Sequence, residues 1–169
     1  LPWSEGNRGG PEGHSFTYVG FNFIFFYLAK LVGIVDPMLL MFFNRLIHGI
    51  FSLVAIYYAY KITEKLSNTK NAIIVAWLLA LATVIPFMSV RNLVELAAVP
   101  FLIWGSWLLL VENLKYKHNF FYAGLIIGCA VSFRYQIAVF AISIGAYYFF
   151  TWKFKEFFLF VAGLIITFV

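Results

Sequence analysis

Charged residues are scarce in this sequence. Asp, Glu, Lys and Arg make up 11% of its 169 residues, whereas a soluble domain has about a quarter. So few charges could not cover a fold surrounded by water, because 63% of the residues are hydrophobic. This balance excludes a soluble globular domain and predicts an integral membrane protein. The aromatic share of 21% fits lipid-facing helices with Tyr and Trp at the interfaces.

Cysteine is almost absent as well. Cys129, in "GLIIGCAVSF", is the only one, which excludes a disulfide framework and a Cys/His metal site. We predict that it is a small packing residue. The net charge of +5 would suggest a nucleic-acid partner. The cations lie in short connectors between apolar runs, however, so we expect no nucleic-acid partner.

The sequence does not open on a secretory signal, and it contains no repeat and no low-complexity linker. It begins with Leu1, and its last run, "FFLFVAGLIITFV", stops while still apolar. We therefore expect an internal piece of a longer multi-spanning protein. Its predicted parts are a remnant of an external loop with an interfacial helix at 1–37, and a transmembrane helical domain at 38–169, incomplete at both ends.

Long apolar runs fill the rest of the chain. A helix needs roughly 20 residues to cross a bilayer. The first run is short and is broken by Lys30 and Gly33, which suits an interfacial or re-entrant helix. Asp36-Pro37 predicts the start of the next helix. The fold class is therefore all-α, a polytopic bundle with about six spanning helices and one interfacial helix. The apolar runs are 18–35, 38–62, 71–90, 92–111, 119–133, 136–150 and 157–169.

Every lysine after Lys30 lies in one of three alternate connectors, at 61–70, 112–119 and 151–156. If each run after the first spans the membrane, these three connectors share one side. The positive-inside rule predicts that this side is cytoplasmic. The remaining connectors, around 89–92 and 132–136, would then face outward.

The outward connectors carry arginine instead of lysine. Arg91, Asn92 and Glu95 lie near one of them, and Arg134 and Gln136 lie in the other. A guanidinium offers a planar fork that suits phosphate or carboxylate. The alternatives are that both arginines reach lipid headgroups, or that Arg91 pairs with Glu95 one turn later. Asn92 and Glu95 would orient Arg91 or hydrogen-bond to a bound ligand.

Other polar and small residues lie inside the apolar runs. Arg45 would need an acidic or carbonyl partner within a helix bundle, and His48 is predicted to be a buried polar contact. Gly124 and Gly128 form a face of small residues, for which we predict helix packing and no chemistry.

Four segments, taken in order, resemble the GT-C membrane glycosyltransferases. These are "LPWSEGNRGG" (1–10), "FFNRLIHGIFSLVAIYYAYKI" (42–62), "FMSVRNLVELAA" (87–98) and "GLIIGCAVSFRYQ" (124–136). They are similar in particular to the dolichyl-phosphate-mannose-using mannosyltransferases that elaborate N-glycan precursors and the GPI anchor. The likeness covers nearly the whole chain.

The resemblance implies a transferase that moves a sugar, typically mannose, from a polyprenyl (dolichyl) phosphate to a glycan or glycolipid. It implies a multi-pass protein of the endoplasmic reticulum or bacterial inner membrane, active on the non-cytoplasmic side, with membrane lipids as further partners. No metal and no cofactor are expected, since the lipid-linked sugar is a substrate. The expected catalytic acid lies early in the first external loop, before Leu1. The expected substrate-binding residues are Arg91, Asn92, Glu95, Arg134, Gln136, Trp3, Glu5 and Arg8.

A second class of function stays open from the sequence alone. A transporter or flippase-like protein with a lipid-phosphate or anion site would also place arginines in a membrane domain. Inverted repeats with broken helices at the bilayer midplane are typical of such proteins. The sequence shows no repeat, and its polar residues collect toward one side, which favours the transferase.

Overall fold

The chain folds into helices only, over the residues that its computed structural model describes, which are 16–81, 94–110 and 118–167. The all-α prediction is confirmed over that part of the chain. A 3-10 turn at Tyr135–Ile137 separates two of the helices. The α-helices are α1 (Phe16–Leu31), α2 (Pro37–Leu66), α3 (Thr69–Leu81), α4 (Val94–Leu110), α5 (Asn119–Phe133), α6 (Ala138–Phe150) and α7 (Phe154–Ile166).

Helix α2 is the only helix in the described ranges that is both long and apolar enough to cross a membrane. Its 30 residues extend about 45 Å, against a hydrocarbon core of roughly 30 Å. It starts as predicted, because the Asp36 carboxylate accepts the N–H groups of Met38 and Leu39 at 3.4 and 3.3 Å. The other described helices have 13 to 17 residues. The count of six spans and the division at residue 37 therefore stay predictions.

Helices α2 and α4 run in the same direction. The rings of Phe51 and Phe101 lie 5.0 Å apart, and Lys65, near the end of α2, donates to the carbonyl of Leu110 at the end of α4. Helix α5 returns in the opposite direction, so the ring of Phe133 at its end stacks on Phe101 at 5.5 Å. Helix α3 also packs on α2, and α4 lies between α2 and α5.

These directions bring the lysine connectors together. Three parts of the chain lie at one end of the bundle, which we call the lysine end. They are the end of α2 with Lys61 and Lys65, the start of α5, and the α6–α7 connection with Lys153. Arg134 and the start of α4 lie at the opposite end, which we call the arginine end. The predicted grouping of alternate connectors is thus confirmed for their described parts, and residues 111–117 lie outside the described ranges.

Helix α5 packs against α7 through glycines. A Cβ on Gly124 would overlap the carbonyl of Phe160, and a Cβ on Gly163 would overlap the carbonyl of Phe121. Gly128 lies one turn further along, against the last turn of α7. The absence of side chains at these points lets the two backbones touch. The predicted packing role of the small-residue face is confirmed.

The best-packed apolar cluster lies beside this contact. Ile127 and Val131 of α5, Ala141 of α6 and Phe160 of α7 are all buried and touch one another. Cys129 of the same helix is half-buried and is a free thiol. Helix α5 is therefore the central helix of the described bundle.

We expect Gly124→Ala to destabilise the protein by about 1–3 kcal/mol, because the new methyl group forces the α5 and α7 backbones apart. The measurement is thermal unfolding of the full chain in detergent, followed by circular dichroism. Gly20→Ala is the matched control, since a Cβ at Gly20 of α1 meets nothing within 4 Å and alanine favours the helix. Equal unfolding temperatures for the two variants would contradict the glycine contact.

Candidate functional site at the arginine end

Arg134 lies where helix α5 stops. Its backbone is extended, with φ −148° and ψ 111°, and its N–H still donates to the carbonyl of Ala130 at 3.1 Å. The chain then turns through the 3-10 segment into α6. The Arg134 Nε–H donates to the Gln136 side-chain oxygen at 2.7 Å. This hydrogen bond holds the plane of the guanidinium, so the structure brings together two of the predicted binding residues.

A long apolar groove starts beside this turn. It lies between α6 and α7, with Val131 of α5 at one end, and has a volume of about 530 Å³. Val131 and Ala138, three and four positions from Arg134, line one end, and Phe149 and Phe150 line the end toward the lysine connectors. Each of its lining residues is apolar or glycine. The groove therefore offers apolar surface for a hydrocarbon chain whose polar end lies near the Arg134 turn.

Four polar side chains form a cluster between α1 and α2. Asn44 donates through its Nδ2 to the Asn22 side-chain oxygen at 3.0 Å, and Asn22 donates to the carbonyl of Tyr18 at 3.0 Å. Each helix contributes two residues at the spacing i, i+4, which puts each pair on one face. Asn44 and His48 are 2% and 7% exposed, so the predicted burial of His48 is confirmed.

The hydrogen bonds of His48 assign its tautomer. Its Nδ1 lies 2.9 Å from the carbonyl of Asn44, and because a carbonyl oxygen can only accept, Nδ1 carries a hydrogen. The Nε2 atom then accepts from the Tyr18 hydroxyl, at 3.4 Å. Asn44 Oδ1 has no hydrogen-bond partner in the described part of the chain, although it is buried. The cluster thus holds the part of α1 with Tyr18 and Asn22 against the part of α2 with Asn44 and His48.

A small cavity adjoins this cluster. It encloses about 140 Å³ between α1, α2, α4 and α5. Its walls are mostly aromatic, and the His48 ring is the one polar group among them. Phe133 closes the cavity toward Arg134, so the cavity, the cluster and the arginine turn are neighbours. The lining residues are Phe21, Ile47, His48, Phe51, Ala97, Phe101 and Phe133.

The remaining predicted site residues are only partly described. Glu95 belongs to the first turn of α4, but its side chain lies outside the described set. Arg45 is exposed on the outer face of α2 and has no acidic or carbonyl partner among the described residues, so its expected pairing is not found there. The predicted site residues that lie wholly outside the described ranges are Arg91, Asn92, Trp3, Glu5 and Arg8.

Sequence reasoning missed Tyr18, Asn22 and Asn44. A signal was present, because two asparagines within apolar runs need partners in a membrane domain. Their spacing from Tyr18 and His48 by four residues would have put each pair on one helix face. It would not have shown that the two faces meet.

The family model of dolichyl-phosphate-mannose-protein mannosyltransferases matches residues 23–169. The match therefore covers most of the chain, including the whole of α2 and the Arg134 turn. It confirms the resemblance to GT-C membrane mannosyltransferases. No curated protein and no solved structure gives a match.

We expect Asn22 and Asn44 to stabilise the fold jointly. In a double-mutant cycle of Asn22→Leu and Asn44→Leu, the coupling free energy should be roughly 0.6–1.7 kcal/mol, the range for polar contacts between membrane helices. The measurement is unfolding of each variant in detergent. The matched control is Ser67 with Asn71, an exposed pair hydrogen-bonded at 2.8 Å, which should show almost no coupling. Comparable coupling in both pairs would contradict a buried cluster.

Proposed function

We propose, on the premise that this chain belongs to the dolichyl-phosphate-mannose-protein mannosyltransferase family, that it transfers a mannosyl group from a polyprenyl phosphate to an acceptor hydroxyl on the non-cytoplasmic side. The family makes it a membrane glycosyltransferase of the mannosyltransferase type. The donor lipid, the acceptor and the side are what we add. The observation that carries the proposal is an apolar groove whose lining residues Val131 and Ala138 lie three and four positions from Arg134.

The transfer is a substitution at the anomeric carbon. The acceptor oxygen forms a bond to C1 of the sugar, and the bond from C1 to the phosphate oxygen breaks. Polyprenyl phosphate leaves with the electron pair, and the hydroxyl proton passes to a base, for which we propose an acid of the first external loop. The step needs a cation that binds the leaving phosphate more strongly as its charge grows.

The hydrogen bond and the surroundings of Arg134 support that role. Its guanidinium plane is held by Gln136 at 2.7 Å, so it need not reorient as charge develops on the phosphate. The polyprenyl chain would run from there along the α6–α7 groove, past Val131 and Ala138. In this proposal the phosphate of the donor lies at Arg134, and the polyprenyl chain of the same molecule lies on the apolar surface of the groove.

The other expected binding residues complete the proposal. Arg91, Asn92 and Glu95 come immediately before or within the first turn of α4, which lies at the arginine end. We propose that they contact the phosphate and the sugar hydroxyls, and that Trp3, Glu5 and Arg8 hold the acceptor. A glycan or glycolipid is the acceptor that we propose. The family's description names a protein instead, so the assay must offer both.

We expect Arg134→Gln to lower the turnover of the full chain by about 100-fold or more, since one preorganised contact to the developing charge is lost. Arg134→Lys should recover part of it, because the charge remains but the fork does not. The measurement is release of polyprenyl phosphate from polyprenyl-phospho-mannose in membranes that contain glycolipid and protein acceptors. Lys153→Gln, at the lysine end, is the control. Full activity of correctly folded Arg134→Gln would contradict the assignment.

We expect Ala146→Phe to raise KM for a long-chain donor several-fold and to leave a short-chain donor analogue nearly unaffected, because the new ring fills the groove. Ala146 lines the groove, whereas Val139 on the same helix does not. Val139→Phe is therefore the matched control, and Val139 is 70% exposed, so it tolerates the larger side chain. Equal KM values for the long-chain donor in both variants would contradict this path for the polyprenyl chain.

A further inference from the structure

We propose that Arg45 and the apolar groove beside it on the outer face of α2 bind an anionic phospholipid, with the lipid phosphate on the Arg45 guanidinium. This site is separate from the proposed donor site. It concerns a lipid that stays bound to the protein, and it does not depend on the transfer reaction.

The Arg45 guanidinium has hydrogen-bonding capacity that no described residue satisfies. It is exposed, and within the described ranges it has neither an ion-pair partner nor a hydrogen-bond acceptor. A guanidinium at the surface of an apolar helix costs several kcal/mol unless it finds an anion or water. No residue of the described bundle supplies the anion, whereas an anionic membrane lipid can.

The depth of Arg45 puts it within reach of a headgroup. Lys61 is the first charged residue that follows it along α2. A hydrocarbon core of roughly 30 Å takes about 20 residues of helix. If Lys61 marks one boundary of the core, the opposite boundary lies near Met41. Arg45 is then only about 6 Å inside the core, and its long side chain can extend back to the phosphate layer.

The surface next to Arg45 fits a lipid chain. A groove of about 420 Å³ runs along one face of α2 from Phe42 past Gly49 to Leu53. Its other lining residues, Leu46 and Ile50, are apolar, and Arg45 is its one charged group. The missing side chain of Gly49 makes a notch in the middle of this face. The groove therefore offers one cation near the headgroup layer and apolar surface below it, which matches an anionic lipid from phosphate to acyl chain.

The groove is distinct from the site described above. Asn44 and His48, which precede and follow Arg45, are buried on the inner face of α2, while Arg45 points outward. The Arg45 groove shares no residue with the α6–α7 groove or with the aromatic cavity. An inorganic phosphate ion would use only the cation and would leave the apolar face uncovered, so a phospholipid is the better occupant.

The test is lipid binding to the full chain, delipidated in detergent and titrated under native mass spectrometry. The probes are phosphatidylglycerol and the diacylglycerol with the same chains, which lacks the phosphate. Arg45→Gln should weaken phosphatidylglycerol binding by about tenfold, as expected for loss of one charge-assisted contact, and should leave diacylglycerol binding unchanged. Arg45→Lys should lie between the wild type and Arg45→Gln. Lys30→Gln, another exposed cation at the arginine end, is the matched control and should bind as the wild type does.

Three results would overturn the proposal. The first is equal affinity of the wild type and Arg45→Gln for phosphatidylglycerol. The second is displacement of the lipid by inorganic phosphate at comparable concentration, which would make the site one for a free anion. The third is a cross-link from Arg45→Cys, through a thiol-attached photo-cross-linker, to an acidic region of the same or a second chain, which would make Arg45 one half of a protein ion pair. Transfer activity is measured separately, so a failure here leaves the donor site untouched.

Discussion

The glycine contact between α5 and α7 is the constraint on which the packing of the central helix depends. Because Gly124 and Gly163 carry no side chains, the two backbones touch, and α6 packs against both helices. A groove lies between α6 and α7, with Val131 of α5 at one end. Helix α5 ends at Arg134, so the contact that fixes α5 also fixes where the arginine turn lies relative to that end of the groove.

Buried polar side chains are few among the described residues, and two of the three, Asn44 and His48, organise their neighbours. Asn44 and His48 face α1, where Asn22 and Tyr18 provide their partners. In an apolar medium an unpaired amide or imidazole is costly, so the cluster fixes how α1 and α2 are rotated relative to each other. It also places Phe21 over the aromatic cavity. One polar cluster therefore defines a wall of the cavity that adjoins the Arg134 turn.

Much of the fold was predictable because its signals are local in the sequence. The Asp36-Pro37 helix start, the burial of His48 and the packing of Gly124 and Gly128 each follow from a few neighbouring residues. The described parts of the lysine connectors share one end because helices that alternate in direction put them there. The pairing of Asn22 with Asn44 was not predictable in the same way. Helices that are apolar around their whole circumference have no polar stripe to report their rotation, and only the packed bundle shows which faces meet.

Arg134 and Arg45 are the same residue type, but they differ in position and in whether a described side chain holds the guanidinium. Arg134 is bound by Gln136 at a helix end, and a guanidinium that stabilises a leaving phosphate must be held in place before the charge develops. Arg45 has no such support in the described bundle and lies beside an open apolar face. A lipid that stays bound does not require a guanidinium held in one orientation, because a flexible cation can move with the lipid headgroup. The roles that we propose for the two arginines differ for this reason, because Gln136 holds the guanidinium of Arg134 and no described residue holds that of Arg45.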